Sequence, residues 1–261
     1  MKVPILLALA GVCAFAQTPP AKKSGATGHP AAAKKPATTS NARLANPALW
    51  TRRAPEEFKA KLTTTKGDVA IDVHRQWAPL GADRFYNLVR SGFLTNVSFY
   101  RVVPGFIVQF GASPDPKVEA AWNKAPIKDD PVKQSNKRGF ITFAMGGPNT
   151  RTTEVFINLK DNASLDGMGF APFGEVTEGM DVVDKLFSGY GDMKEMGGRG
   201  PSQPRVQVEG KAYLDKEFPQ LDSIKSASII SPAGAPPPPA KKAAPAKAPA
   251  APVKKTLPVS K

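Results

Sequence analysis

The 261 residues carry 36 Lys and Arg against 22 Asp and Glu, a formal net charge of +14, with one cysteine and two histidines. A single cysteine, Cys13, excludes a disulfide framework and a thiolate zinc site, and His29 and His74 cannot assemble a metal-ligand cluster. With His74 the only base in the middle of the chain, a chemistry that needs no covalent nucleophile, no metal and no other cofactor is expected.

The charge is unevenly placed. Lys2, five bases in residues 17–50 and six in residues 226–261 stand without any acid, so 24 bases and all 22 acids fall in residues 51–225. That describes one near-neutral domain, long enough to bury a sizeable core, between two basic tails.

At the start, Met1 and Lys2 precede an apolar run over residues 3–15 that ends in Ala14-Phe15-Ala16. A short basic start, an apolar stretch and a small-x-small site form the secretory pattern, and the run is shorter than the roughly 20 residues that span a bilayer. Residues 1–16 are read as a signal peptide cleaved after Ala16, and the protein as exported, to a periplasm or to the cell exterior. Cleavage removes Cys13, which suits an oxidising compartment. A lipoprotein using Cys13 is disfavoured by the bulk of Val12.

Residues 17–50 and 231–261 are rich in Pro, Ala and Lys and poor in large apolar side chains, so both are expected to be disordered. A polybasic tether to an anionic envelope polymer, lipid headgroup or nucleic acid is one reading of them. A solvated linker is favoured over it, because no aromatic is interleaved from residue 17 to 46 or from 231 onward to stack on bases.

Residues 51–230 form the domain. Alternation over residues 58–64 and 68–73, around Thr65-Lys66-Gly67, predicts a β-hairpin. Residues 78–90 place Phe85, Leu88 and Val89 at helical spacing, with Pro79 near the start and Gly92 just past the end. Short apolar runs at 99–103, 106–110, 140–144, 155–159 and 171–176 predict strands. A second short helix is expected at 180–187, a last strand at 206–209, and a helical extension over 211–230 with Leu214, Phe218, Leu221 and Ile224 at helical spacing. Many short strands with two or three helices imply a mainly β domain with a closed or sandwiched antiparallel sheet.

The run Phe99-Tyr100-Arg101-Val102-Val103-Pro104-Gly105-Phe106-Ile107-Val108-Gln109 resembles the first signature of the cyclophilin-type peptidyl-prolyl cis-trans isomerases. Phe143-Ala144-Met145-Gly146-Gly147-Pro148-Asn149-Thr150 with Val155-Phe156-Ile157 resembles the second, and Leu165-Asp166-Gly167 with Phe173-Gly174 the third. The resemblance implies a closed eight-stranded antiparallel β-barrel capped by two α-helices, with a groove on its outer face that binds proline-containing peptides. For this chain those are unfolded exported proteins, met by a monomer without a transmembrane span.

Isomerising an X-Pro bond requires no nucleophile; it requires a seat for the proline ring and a donor that weakens the double-bond character of the amide. Arg101 is the candidate catalytic donor, always protonated and presenting a rigid fork of N–H groups. In strict alternation it shares a face with Phe99 and Val103. Gln109 is expected to hydrogen-bond the peptide backbone, as the matching family glutamine does. Phe106, Ile107, Phe156 and Leu165 would line the proline pocket, and Ala144, Met145 and Gly146 the groove.

Several positions depart from the family pattern. Met145 replaces a side-chain amide, Ser164 a frequent tryptophan, and Glu154 a glutamine, where its carboxylate could orient the Arg101 guanidinium or neutralise it. The family's active-site histidine has no equivalent, and Gly169 or Phe170 falls in its place. Phe170 either closes the pocket or belongs to the core.

Overall fold

The structure, a computed structural model, describes residues 38–230. The signal peptide assigned to residues 1–16, most of the linker and the tail at 231–261 lie outside the described residues. The linker boundary needs correction: residues Thr38–Leu44 form a helix, α1, and Pro47–Leu49 a 3-10 turn. Leu44, Ala45 and Trp50 pack on the domain core, and the Trp122 indole donates to the Leu44 carbonyl at 2.9 Å. These few apolar residues, set at the end of a polar stretch, anchor residues 38–50 to the domain.

The hairpin forms from β1 (Glu57–Thr64) and β2 (Asp68–His74), antiparallel with Phe58 opposite Val73 and Leu62 opposite Val69. Burial along β1 alternates strictly, with Phe58, Ala60, Leu62 and Thr64 inward. Helix α2 (Pro79–Ser91) begins on its proline and stops at Gly92, whose positive φ of 78° lets its N–H reach back to the Leu88 and Val89 carbonyls. Its exposed first N–H groups are met by the Asp130 carboxylate, which accepts from Leu80 and Gly81 at 3.0 and 2.8 Å. Phe85, Leu88 and Val89 go into the core, as their spacing requires.

Strands β3 (Arg101–Val103), β4 (Ile107–Phe110), β5 (Phe140–Phe143), β6 (Val155–Asn158) and β7 (Pro172–Glu178) follow, with α3 (Pro116–Trp122) between β4 and β5. After β7 come α4 (Met180–Asp184), α5 (Gln203–Glu209), α6 (Lys211–Glu217) and β8 (Ile224–Ile230). All eight strands belong to one antiparallel sheet in the order β3-β4-β6-β5-β7-β2-β1-β8. It curls around a core that includes Leu62, Ile71, Phe85, Phe110, Ile141 and Phe173.

The closed barrel capped by two helices is corrected on both counts. The edge strands β3 and β8 are not paired; the single bridge Ser98↔Ser223 joins the segments leading into them. Past that bridge Tyr100 turns into a separate apolar cluster with Val206, Tyr213 and Leu214 of α5 and α6. Six α-helices, not two, accompany the sheet among the described residues. The alternation breaks at Arg101: Phe99 and Val102 face the core, whereas Tyr100 and Arg101 both face away from it.

Residues 206–209 are helical, not a strand. Pro204 lies in the first turn of α5, and the helix buries Val206 while leaving Val208 74% exposed, two positions that a strand would place on one face. The extension at 211–230 is helical only to Glu217. Pro219 follows the end of α6, and Ile224–Ile230 pairs with β1, Ala60 opposite Ile229 and Leu62 opposite Ala227. Pairing the open edge of β1 satisfies a row of backbone groups that a helix would leave to solvent.

Candidate active site

On the outer face of the curled sheet lies a cleft of about 590 Å³. Strands β3, β4 and β6 adjoin in register, Arg101 opposite Gln109 and Gln109 opposite Phe156, so residues of three strands form one row across the sheet. Arg101, Phe106, Ile107, Gln109, Ala144, Met145, Gly146, Glu154, Phe156, Leu165 and Phe170 all line this cleft.

Its apolar floor is a small cluster of Ile107, Phe156 and Leu165, with Phe106, Ala144 and Phe170 packed against it. Phe170 meets Phe156 edge to face, with centroids 5.6 Å apart. Phe170 thus lies in the cleft and not in the main core. Leu165 lies within a 3-10 turn, Ala163–Met168, and Phe170 follows its Gly169 cap; polar residues hold this segment from beneath. Asn162 donates to Asn158 Oδ1 and the Phe106 carbonyl at 2.8 and 3.0 Å; Asn136 donates to Asp166 Oδ1 and the Phe170 carbonyl, both at 2.8 Å. Burial works to raise the Asp166 carboxyl, but donors from Ser135 and Asn136 hold it below its ordinary range.

The guanidinium of Arg101 is fixed on three sides. Nε and Nη2 donate to the two carboxylate oxygens of Asp192 at 2.7 and 3.3 Å, and Nη1 donates to Gln109 Oε1 at 2.9 Å. Its Cζ lies 5.9 Å from the Phe106 ring centroid. Three of the five N–H groups are thus engaged, leaving one on each terminal nitrogen to act in the cleft.

Gln109 lies beside the guanidinium, directly opposite Arg101 on the neighbouring strand. It is almost wholly buried; its carbonyl accepts from Arg101, while its amide nitrogen donates to the Tyr100 hydroxyl at 2.6 Å and to Glu154 Oε2 at 2.8 Å. Both amide hydrogens are engaged within the domain, and the carbonyl oxygen helps to orient Arg101.

Glu154 does not touch Arg101. It is buried and accepts from Tyr100, Gln109, Gln203 and Gln207, the two α5 glutamines at 2.9 and 3.1 Å. A carboxylate replaces the family's glutamine because four donors converge on it, and a carboxylate offers acceptors only. Burial and the neighbouring Glu154 charge hold the Tyr100 phenol well above its ordinary value. Behind them, burial pushes the Glu119 carboxyl up to about 7, with the Ser113 N–H at 2.6 Å opposing and the Glu154 charge adding.

Motif-based reading missed Tyr100, Asp192, Gln203 and Gln207, together with the cleft-lining Met193, Met196 and Pro204. The one signal available for the far wall was the density of glycines between Gly189 and Gly200. His74 is elsewhere: it pairs with Glu57 and lies against the Trp77 ring, with centroids 4.2 Å apart and the planes tilted by 32°.

Residues 59–209 match the family model described as "Cyclophilin type peptidyl-prolyl cis-trans isomerase/CLD". The chain belongs to this family. It is similar to peptidyl-prolyl cis-trans isomerase A of Dickeya dadantii, 37% identical over 131 residues that cover 48% of this chain and 68% of the relative. It is also similar to peptidyl-prolyl cis-trans isomerase B of Escherichia coli, 36% identical over 132 residues, 47% of this chain and 80% of the relative. A crystal structure of a Cryptosporidium parvum cyclophilin-type isomerase aligns with a TM-score of 0.49 at 20% identity, covering 67% of this chain and 99% of that one. The protein is an enzyme of the peptidyl-prolyl cis-trans isomerase class, whose substrates are proline-containing peptides and proteins. Among the described residues no helix is long and apolar enough to cross a membrane.

Proposed function

We propose that the domain accelerates X-Pro isomerisation in exported proteins as they fold, with Arg101 as the donor that lowers the barrier. The ring of proline seats on Ile107, Phe156, Leu165 and Phe170. Uncatalysed rotation faces about 20 kcal/mol because resonance gives the C–N bond double-bond character. As the amide twists, the prolyl nitrogen pyramidalises and gains a lone pair, and a free N–H of Arg101 donates to it. The guanidinium is already oriented, so little reorganisation opposes this step, and the apolar floor strengthens the bond by excluding water. One observation carries the reading: a guanidinium held by Asp192, Gln109 and Phe106, with two N–H groups left over, beside an apolar pocket.

The test is isomerisation kinetics on a proline tetrapeptide, wild type against Arg101→Ala, with a thermal melt of each. Acceleration that collapses in a folded variant supports the reading. A folded wild type that accelerates nothing, yet binds proline peptides, makes the domain a proline-peptide binding module. Export rests on the pattern of residues 1–16 and on a mature chain without cysteine; N-terminal sequencing of secreted material should begin at Gln17. The basic tails serve as solvated linkers with at most weak attraction to anionic envelope polymers, which 0.5 M salt should abolish.

A further inference from the structure

Asp192 lies outside every motif, yet its carboxylate contacts the candidate catalytic guanidinium more extensively than any other group. The Asp192 carboxylate is itself immobilised. The Met193 N–H donates to Oδ1 at 2.7 Å, and the Gly200 N–H donates to the Asp192 carbonyl at 2.7 Å. Met193 is buried in the cluster that holds Tyr100, which pins the loop to the strand carrying Arg101.

The glycines explain how the chain closes this tightly. A Cβ at Gly198 would stand 2.1 Å from the Asp192 carbonyl oxygen and one at Gly200 2.7 Å, closer than any side chain allows. Residues 191–200 form a collar around one aspartate, and that aspartate faces Arg101. Two roles follow from opposite physics. As a counter-charge, Asp192 would weaken the field that Arg101 presents; as a clamp, it would set the plane of the fork.

The geometry favours the clamp. The carboxylate engages Nε and Nη2 side-on, at the edge away from Gln109, and leaves N–H groups on both terminal nitrogens unengaged. Its side chain keeps 28% of its surface in solvent, where water screens its charge, while the two-point hydrogen bond keeps its direction. A single bond from Gln109 would leave the guanidinium free to swing; the second support removes that freedom.

We propose that Asp192 is a positioning residue for isomerisation, holding Arg101 in the orientation that meets the twisted amide; this rests on the role given to Arg101 above. The experiment compares wild type, Asp192→Asn, Asp192→Glu and Gly198→Ala, together with Asp192→Asn in the Arg101→Ala background. The readouts are kcat and KM for the tetrapeptide and 15N relaxation of the Arg101 Nε–H.

In Asp192→Asn, kcat should fall about tenfold with KM nearly unchanged, the scale of a sub-ångström misplacement, and the Nε–H should lose order. Asp192→Glu should fall between, Gly198→Ala should reproduce the loss with both side chains intact, and the Arg101→Ala background should show no further loss. A rise in kcat, an equal loss without Arg101, or an unchanged Nε–H signal would each overturn the proposal. Should Asp192→Asn fail to fold, Asp192→Glu is read by the same criteria. A wild type without turnover removes the role assigned to Arg101, and the relaxation data alone then decide whether Asp192 holds the guanidinium.

Discussion

On one side of the cleft, neighbouring strands carry Arg101, Gln109 and Phe156 in a single cross-strand row, so the sheet's own hydrogen bonds set their spacing. On the other side, Asp192, Gln203 and Gln207 come from a glycine-rich loop and a seven-residue helix, and side-chain hydrogen bonds to Arg101 and Glu154 tie that wall to the first. A sheet wall is rigid whatever faces it; a loop wall owes its position to what it grips. The first wall carries the residues to which the proposed chemistry is assigned, and the second holds them in place.

Loss of Arg101 should separate the walls most sharply. Arg101→Ala is expected to lower kcat/KM by about 10²–10³, the cost of removing one preorganised donor, with the melting temperature nearly unchanged; equal losses in stability and turnover would make it a structural residue instead.

The next effect belongs to Glu119, behind both walls. Its folded-state value near 7 exceeds the ordinary 4.5, so the folded protein holds this proton more tightly and stability falls as pH rises through that window. Glu119→Gln removes the cost: its advantage over wild type should be absent below about pH 4.5 and reach about 2–3 kcal/mol above pH 7, as read by urea unfolding at a series of pH values. A stability difference that does not vary with pH would place the ionisation elsewhere.

Phe156→Ala removes the floor without touching a donor. Peptide affinity should weaken about tenfold, as expected for losing about 1.5–2 kcal/mol of apolar contact, and kcat should hold. A fall in kcat instead would mean that Phe156 also shapes the guanidinium's surroundings.

The smallest change is Gln207→Ala, which takes one of four donors from Glu154. A loss of about 1 kcal/mol in unfolding free energy is expected, with turnover kept because Gln203 and Gln109 remain. A larger loss of turnover than of stability would show that the second wall reaches the chemistry through Glu154 as well as through Asp192.

The sequence could be read where local rules act alone. Alternation in residues 57–64, the proline and glycine that bracket α2, and the ordered motifs around Arg101, Phe156 and Leu165 all carry their meaning within a dozen residues. It misled where two local signals conflict. Val206 and Val208 alternate like a strand, but Pro204 starts a helix; Leu221 and Ile224 keep helical spacing, but the unpaired edge of β1 draws residues 224–230 into the sheet.

The glutamine-like position of Glu154 and the catalytic row of Arg101 were visible, but not their partners. Sequence by itself determined that Arg101, Ile107 and Phe156 lie on strands that bring them together in the cleft, because each depends on side-chain type and short periodicity. Only the tertiary structure decided that Asp192 holds Arg101, that four donors surround Glu154, and that the sheet's two edge strands stay unpaired with each other. Those contacts join residues 45 to 91 positions apart, and no local pattern encodes which distant loop a buried carboxylate or guanidinium will meet.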